Sequence, residues 1–254
     1  MRIEVSGQTH VGMKRTHNED NLLLLPEERL VVVADGMGGH ASGEIASKIA
    51  VEELGDFFSM TSRDEEITWP YKMDKGRTYD ENRLATGIKL ANRRILDRAA
   101  SETRLKGMGT TLVSVYFAKD TEALIAHVGD SRVYFYRDGD LRQLTEDHSL
   151  LNDYLKAKKL SPEEIESFPH KNVIVRALGM KDSVQVDICR IEPKDNDLFL
   201  LCSDGLSGML TDDQMKHAIS HAKDLKKACE ELIELANAAG GNDNVTCVLA
   251  RFHR

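Results

Sequence analysis

Two apolar runs in this chain end in the same way. Residues 31–39, VVVADGMGG, carry a buried-strand pattern straight into Asp35 and a cluster of glycines. Residues 199–208, FLLCSDGLSG, repeat the arrangement at Asp204, and both segments obey D-G-[M/L]-x-G. A strand that is apolar on both faces belongs inside a core. Each run therefore delivers a carboxylate and a loop nearly free of side chains to the rim of that core. Asp130 in AHVGDSRVY and Asp243 in GGNDNVTCVLA adjoin apolar strands in a similar manner. One Asp-Gly after a strand is ordinary turn chemistry. Four such endings ask for more, because an uncompensated carboxylate at the mouth of a core costs several kcal/mol unless it is paired or metal-bound.

No lysine or arginine adjoins Asp35, Asp204 or Asp243 in sequence. A divalent cation would compensate all of them at once. The D-G-[M/L]-x-G pattern holds no histidine or cysteine, so hard oxygen donors favour Mg²⁺ or Mn²⁺ over zinc or copper. The glycine after Asp35 fits this picture: with no side chain in the way, the Gly36 carbonyl is expected to turn inward as a further oxygen ligand. Upstream, KRTHNEDN at 14–21 places Arg15 ahead of Glu19 and Asp20. Beside a carboxylate–metal cluster, Arg15 is a candidate clamp for a phosphoryl group through its fork of donors. Asp20 is a candidate to hold metal-bound waters.

The charge balance agrees. With 34 Lys and Arg against 42 Asp and Glu, the net charge is −8, which argues against binding a nucleic-acid backbone. An acidic protein that handles phosphate needs cations between its carboxylates and the substrate. The N-terminal MRIEVSGQTH lacks the apolar core of a signal peptide, and no apolar run approaches the roughly 20 residues of a membrane helix. Cys189, Cys202, Cys229 and Cys247 show no C-x-x-C spacing; buried thiols in a reducing cytoplasm are expected rather than disulfides or zinc.

Strand patterns fall at 21–25, 29–34, 110–117, 123–127, 132–137, 184–191, 197–202 and 244–252, with a hairpin turn of the Asp-Gly kind in RDGD at 137–140. Helical patterns fall at 42–58 and 82–103. Another helix opens at a capping box formed by Thr211 and Gln214. A last stripe of Leu225, Ala228, Cys229, Leu232, Ile233 and Ala236 is stopped by Gly240 and Gly241. Clusters of strands and of helices, rather than alternating βαβ units, predict an α+β fold with sheets inside and helices outside, in a single domain over 1–254. Two segments look peripheral: the polar 61–79, and a lysine-rich excursion at about 146–172.

Taken in order, the motifs resemble the metal-dependent protein phosphatases, the protein phosphatase 2C-like or PPM family, in its bacterial form. They are R-x-x-x-E-D at 15–20, A-D-G-M-G-G at 34–39, G-T-T at 109–111, G-D-S-R at 129–132, S-D-G-L at 203–206 and G-x-x-D-N-x-T at 240–246. The resemblance implies a four-layer α/β/β/α sandwich, two central antiparallel β-sheets flanked by helices, with a two-metal site at one end. Carried over by position, Asp35 bridges two Mn²⁺ or Mg²⁺ ions, the Gly36 carbonyl binds one, and Asp204 and Asp243 complete the other's shell. Asp130, with Asp204, belongs to a third, weaker metal site. Arg15 contacts the substrate phosphate and Asp20 orients coordinated water.

The implied reaction is hydrolysis of phosphoserine and phosphothreonine in proteins, with a metal-bridging water or hydroxide as nucleophile. The implied partners are phosphorylated proteins, including a cognate protein kinase, for a monomeric cytoplasmic signalling enzyme. The excursion at about 146–172 matches the position of the bacterial flap. Met37 follows Asp35-Gly36 where many eukaryotic members carry a histidine, so no general acid is assigned. His40 is read as a helix-entry residue.

Rival readings are weaker. GMGGHA satisfies a dinucleotide fingerprint, but no second strand with a terminal acid follows Phe58. His217 and His221 sit i, i+4 without the glutamate of a zinc protease, and are expected on a solvated helix face. A non-catalytic relative would have lost metal ligands, and here all of them are present together with Arg15.

Overall fold

The computed structural model of the chain describes residues 2–38, 42–64, 67–118, 122–157, 165 and 173–254. Its strands form two antiparallel sheets. The first runs β1 (Arg2–His10), β11 (Val245–His253), β10 (Leu198–Cys202), β7 (Arg132–Arg137), β8 (Asp140–Gln143). The second runs β2 (Asp20–Leu25), β3 (Leu30–Met37), β5 (Leu112–Phe117), β6 (Ala123–Val128), β9 (Asp187–Ile191), with the short β4 (Gly109–Thr110) on the far end of β3.

Side-chain alternation explains the layering. On β3, Val31 and Val33 face inward and share a cluster with Phe199 and Leu201 of β10 and Val248 of β11. Leu30, Val32 and Ala34 point the other way, into a cluster with Leu54 and Phe58 of α1 (Ser42–Arg63) and Leu84 and Ile88 of α2 (Tyr79–Ser101). β10 repeats the division: Leu198, Leu200 and Cys202 meet Ala218 of α5 (Asp212–His221) and Leu232 and Ala236 of α6 (Leu225–Ala238). A strand buried on both faces needs helix, sheet, sheet and helix in that order, which is the expected four-layer sandwich. Full burial of each such leucine or valine contributes about 1.5–3 kcal/mol.

Local signals set the boundaries. The capping box at Thr211 and Gln214 starts α5 as expected. A second box, Thr78 with Glu81, starts α2 earlier than the apolar periodicity indicates. Asp138 and Gly139, both at positive φ, make the β7–β8 hairpin. α1 runs past Phe58 to Arg63, and Trp69 in the polar segment after it packs edge-on against Phe57. The strand pattern at 184–191 begins pairing only at Asp187.

Between β8 and β9 the described chain forms α3 (Leu150–Ala157) and an antiparallel bridge of Ser149 with Ile174. The rest of the flap-like excursion, 158–164 and 166–172, lies outside the described residues, as does His40. Cys202, Cys229 and Cys247 are buried free thiols, whereas Cys189 is exposed, a departure from the expected burial of all four. His217 and His221 stack their rings 4.0 Å apart on the solvated face of α5. No helix among the described residues is long and apolar enough to cross a membrane.

Candidate active site

Five aspartates gather at one edge of the sandwich. Asp20 opens β2 and is the register partner of Asp35 near the end of β3. Asp130 lies in the turn between β6 and β7. Asp204 follows β10 and opens the single helical turn α4 (Asp204–Ser207), and Asp243 precedes β11. Antiparallel pairing brings these strand ends to the same rim, so residues more than 200 positions apart in sequence become neighbours.

Close backbone contacts hold the loops together. A Cβ on Gly205 would stand 1.9 Å from the Asn244 carbonyl oxygen, and one on Gly12 would stand 2.1 Å from the Asp243 carbonyl oxygen. These glycines let the loops bearing Asp204, Asp243 and Arg15 press against each other. Asn244 completes the join. Its side chain accepts from the Glu19 amide at 2.8 Å and donates to the Val11 and His17 carbonyls at 2.9 Å each.

Gly36 also has a packing reason. It continues β3, and a Cβ there would lie 2.2 Å from the Gly43 carbonyl oxygen and 2.5 Å from that of Glu19. The missing side chain lets the start of α1 and the Asp20 loop close onto the strand end. The Asp35 backbone is fixed by Thr111, which donates its amide to the Asp35 carbonyl at 2.8 Å and accepts the Asp35 amide on Oγ1 at 3.1 Å.

The electrostatics show how tightly the carboxylates are crowded. Burial, then the charges of Asp20, Asp204, Asp130 and Asp243, raise the Asp35 carboxyl well above its ordinary range. Asp204 is raised first by burial and then by the charge of Asp243. Burial pushes Asp20 up to about 6, even though Ser203 and Thr246 donate to its Oδ2 at 2.8 and 2.6 Å. Asp130 is pushed up to about 7, again mainly by burial.

Two buried carboxylate oxygens, Asp20 Oδ1 and Asp130 Oδ1, have no hydrogen-bond partner. Arg15 donates from Nη2 to Asp243 Oδ2 at 2.7 Å, yet it is half-exposed. Arg132, near Asp130, is engaged by Asp147. A set of oxygen donors with orphaned buried atoms and so little positive charge among them fits divalent cations. Among the described residues, the one triad of ligating atoms lying within 4.8 Å of one another is His127, His148 and Asp187. The aspartates are spread more widely, as suits a pair of ions about 3.5–4 Å apart rather than one. A cleft of about 470 Å³, lined by Asp130, Arg132, Asp147, Asp204, Asn242 and Asp243, opens beside them towards α3.

The family model described as Protein phosphatase 2C matches residues 7–250. The chain belongs to the protein phosphatase 2C family. It is 39% identical over 249 residues to the serine/threonine phosphatase stp of Listeria welshimeri, covering 95% of this chain and 93% of that one. It is 38% identical over 256 residues to the protein phosphatase PhpP of Streptococcus pneumoniae, covering 99% and 98%. The crystal structure of the Mycobacterium tuberculosis serine/threonine phosphatase PstP/Ppp superposes with a TM-score of 0.86 at 32% identity, covering both chains fully. The catalytic domain of PstP in complex with two manganese ions superposes with a TM-score of 0.82 at 32% identity, covering 100% of this chain and 99% of that one. As a member of this family the chain is a metal-dependent serine/threonine protein phosphatase.

Arg15, Asp20, Asp35, Asp130, Asp204 and Asp243, singled out from sequence, all stand at this rim. Sequence reasoning missed Asn244, Thr111 and Ser203 as the residues that orient them. All three lie in motifs singled out from sequence, Thr111 in G-T-T at 109–111, Ser203 in S-D-G-L at 203–206 and Asn244 in Asp-Asn at 243–244, but the motifs gave them no role.

Proposed function

We propose that Asp35, the Gly36 carbonyl, Asp204 and Asp243 hold two Mn²⁺ or Mg²⁺ ions, and that Asp130 with Asp204 holds a third, weaker one. When bound, such ions act as Lewis acids towards a phosphoryl group and lower the pKa of water to near neutrality. Everything else falls to side chains of this chain. Asp35, crowded by the charges of Asp20, Asp204, Asp130 and Asp243, is the carboxylate that would be shared between the two ions. The unpartnered Oδ1 of Asp20 is free to accept from a solvent molecule and aim it, while Ser203 and Thr246 hold Oδ2 in place. Arg15, exposed on its loop, offers a planar fork to the substrate phosphate and neutralises charge as the leaving oxygen departs.

The observation that carries this reading is the gathering of five aspartates at one rim, with Asp20 Oδ1 and Asp130 Oδ1 buried and unpartnered and the Asp35 carboxyl raised by burial and by four like charges. Such crowding opposes folding, and a cation relieves it. The chain is read as one domain over 1–254 with a flap at about 146–172. Its substrates are phosphorylated Ser/Thr proteins, a cognate kinase among them, and it works as a monomer in bacterial cytoplasmic signalling. Four free cysteines suit such a reducing compartment.

The test is turnover of an aryl phosphate and of a phosphothreonine protein, titrated with Mn²⁺, Mg²⁺ and EDTA. Both activities should need metal, vanish with chelator and be absent in Asp35→Asn. Turnover that survives EDTA, or an active Asp35→Asn, refutes the reading.

A further inference from the structure

The Asp130 carboxylate leaves Oδ1 buried without a partner, so the backbone of its turn matters to where that oxygen points. The residue before it is gripped from two sides. Gly129 stands at φ +111, and a Cβ there would lie 2.6 Å from the Thr111 Cβ, so the turn is pressed onto the residue that fixes Asp35. On the other side, His148 donates its amide to the Gly129 carbonyl at 2.9 Å, and Gly129 donates its own amide to His148 Nδ1 at 3.0 Å.

The ring making that bond is itself locked. A backbone N–H is always a donor, so Nδ1 accepts and the neutral ring carries its proton on Nε2. Nε2 lies 3.2 Å from Asp187 Oδ2 on β9. Arg176, just beyond the flap-like excursion, donates from Nη1 to Asp187 Oδ1 at 2.9 Å; its 3.0 Å approach to His148 Nε2 sets donor beside donor, so Asp187 is the acceptor that both groups share. His127 stacks on the ring at 4.6 Å and lies 2.9 Å from the Glu146 carbonyl through Nε2. Val175 donates its amide to the His148 carbonyl, and Leu150 donates to Val173. Burial pushes His148 down to about 4, in keeping with a neutral ring. His127, His148 and Asp187 are close enough to hold a metal, but the Arg176 guanidinium already supplies the positive charge, and both ring nitrogens of His148 are engaged, Nδ1 by the Gly129 amide and Nε2 by Asp187.

We propose that His148 is a positioning residue that holds Asp130 for a cation and ties that hold to the base of the flap. This rests on the assignment of Asp130 as a cation ligand. A shift of the arm at 173–176 loosens Arg176 and Asp187, then the ring, then the Gly129 amide. By linkage, a cation at Asp130 orders the flap base in return.

Two variants split the function of the ring. In His148→Asn the side-chain oxygen takes the place of Nδ1 and keeps the acceptor for Gly129; in His148→Gln the amide takes the place of Nε2 and keeps only the Asp187 end. The first readout is exchange of the Gly129 amide in the metal-free chain. It should stay protected in His148→Asn and exchange at least about tenfold faster in His148→Gln and His148→Ala. The second is Mn²⁺ binding by calorimetry. The weaker class of sites should lose about tenfold in affinity in His148→Gln, with His148→Asn close to wild type and the stronger class unchanged.

Asp130→Asn is the control. If it leaves the weaker class intact, the ligand assignment fails, while the amide readout still decides the clamp. Equal behaviour of the Asn and Gln variants in both readouts, or an unchanged isotherm in His148→Ala, overturns the proposal. Should His148→Ala not fold, the Asn and Gln pair decides alone.

Discussion

Asp20 and Asp35 face each other across β2 and β3 as register partners, two acidic residues on adjacent strands of one sheet. Like charges directly opposite in an antiparallel pair destabilise it. Here burial adds to the cost, since both carboxyls are raised from their ordinary range. The pair therefore marks where the fold gives up stability for its chemistry.

Asp20→Asn should make the metal-free chain more stable and the enzyme slower. An amide nitrogen replaces the unpartnered Oδ1, while the remaining oxygen still accepts from Ser203 and Thr246. A gain of about 1 kcal/mol, or 2–4 °C in melting temperature, is expected in EDTA at pH 8. A lower melting temperature would show that the charge is compensated in a way the geometry does not reveal.

Stability of the metal-free chain should fall as pH rises. Asp20 and Asp130 have an ordinary value of 3.8, raised in the fold to about 6 and about 7. Between those limits the folded state binds more protons than the unfolded one, so the stability they lend is complete below about pH 4 and is lost as pH passes 6 to 7. Saturating Mn²⁺ should reverse the slope, because the cation binds the ionised carboxylates. Chemical denaturation from pH 5 to 8, with and without Mn²⁺, checks both signs.

Arg15→Ala should raise KM more than it lowers kcat, since the guanidinium serves to bind the phosphate. The same change removes the partner of Asp243, an exposed pair contributing about 0.2–1 kcal/mol, so Mn²⁺ affinity should shift by no more than about fivefold. An unchanged KM takes Arg15 out of the substrate site.

Gly205→Ala tests the loop packing apart from the chemistry. Its Cβ meets backbone oxygen at 1.9 Å, which cannot step aside as a side-chain tip can. A loss of about 1–3 kcal/mol is expected, with Mn²⁺ binding weakened as the Asp204 and Asp243 loops part. Wild-type stability with wild-type metal affinity would contradict the packing described.

Much of the fold was legible because the core strands are buried on both faces. Runs such as Val31–Val33 and Leu198–Leu201 cannot be placed anywhere but between a helix layer and a second sheet. β1 was invisible for the opposite reason. It pairs with β11 along nine residues, yet among its side chains only that of Ile3 is buried, so an edge strand rich in polar residues leaves no alternation to read. β8 likewise buries only Leu141.

The aspartates were legible because each interrupts an apolar run. What holds them was not. Motifs mark the positions of Thr111, Ser203 and Asn244, but these residues and His148 act through hydrogen bonds to partners that only the sheets bring close, so their roles could not be read locally.

The central claim concerns where cations sit. Anomalous diffraction from a crystal soaked in Mn²⁺ tests it most directly. Two strong peaks flanking the Asp35 carboxylate, one within ligand distance of the Gly36 carbonyl and the other of Asp204 and Asp243, are predicted. Peaks at His127, His148 and Asp187 with none beside Asp35 would contradict the account.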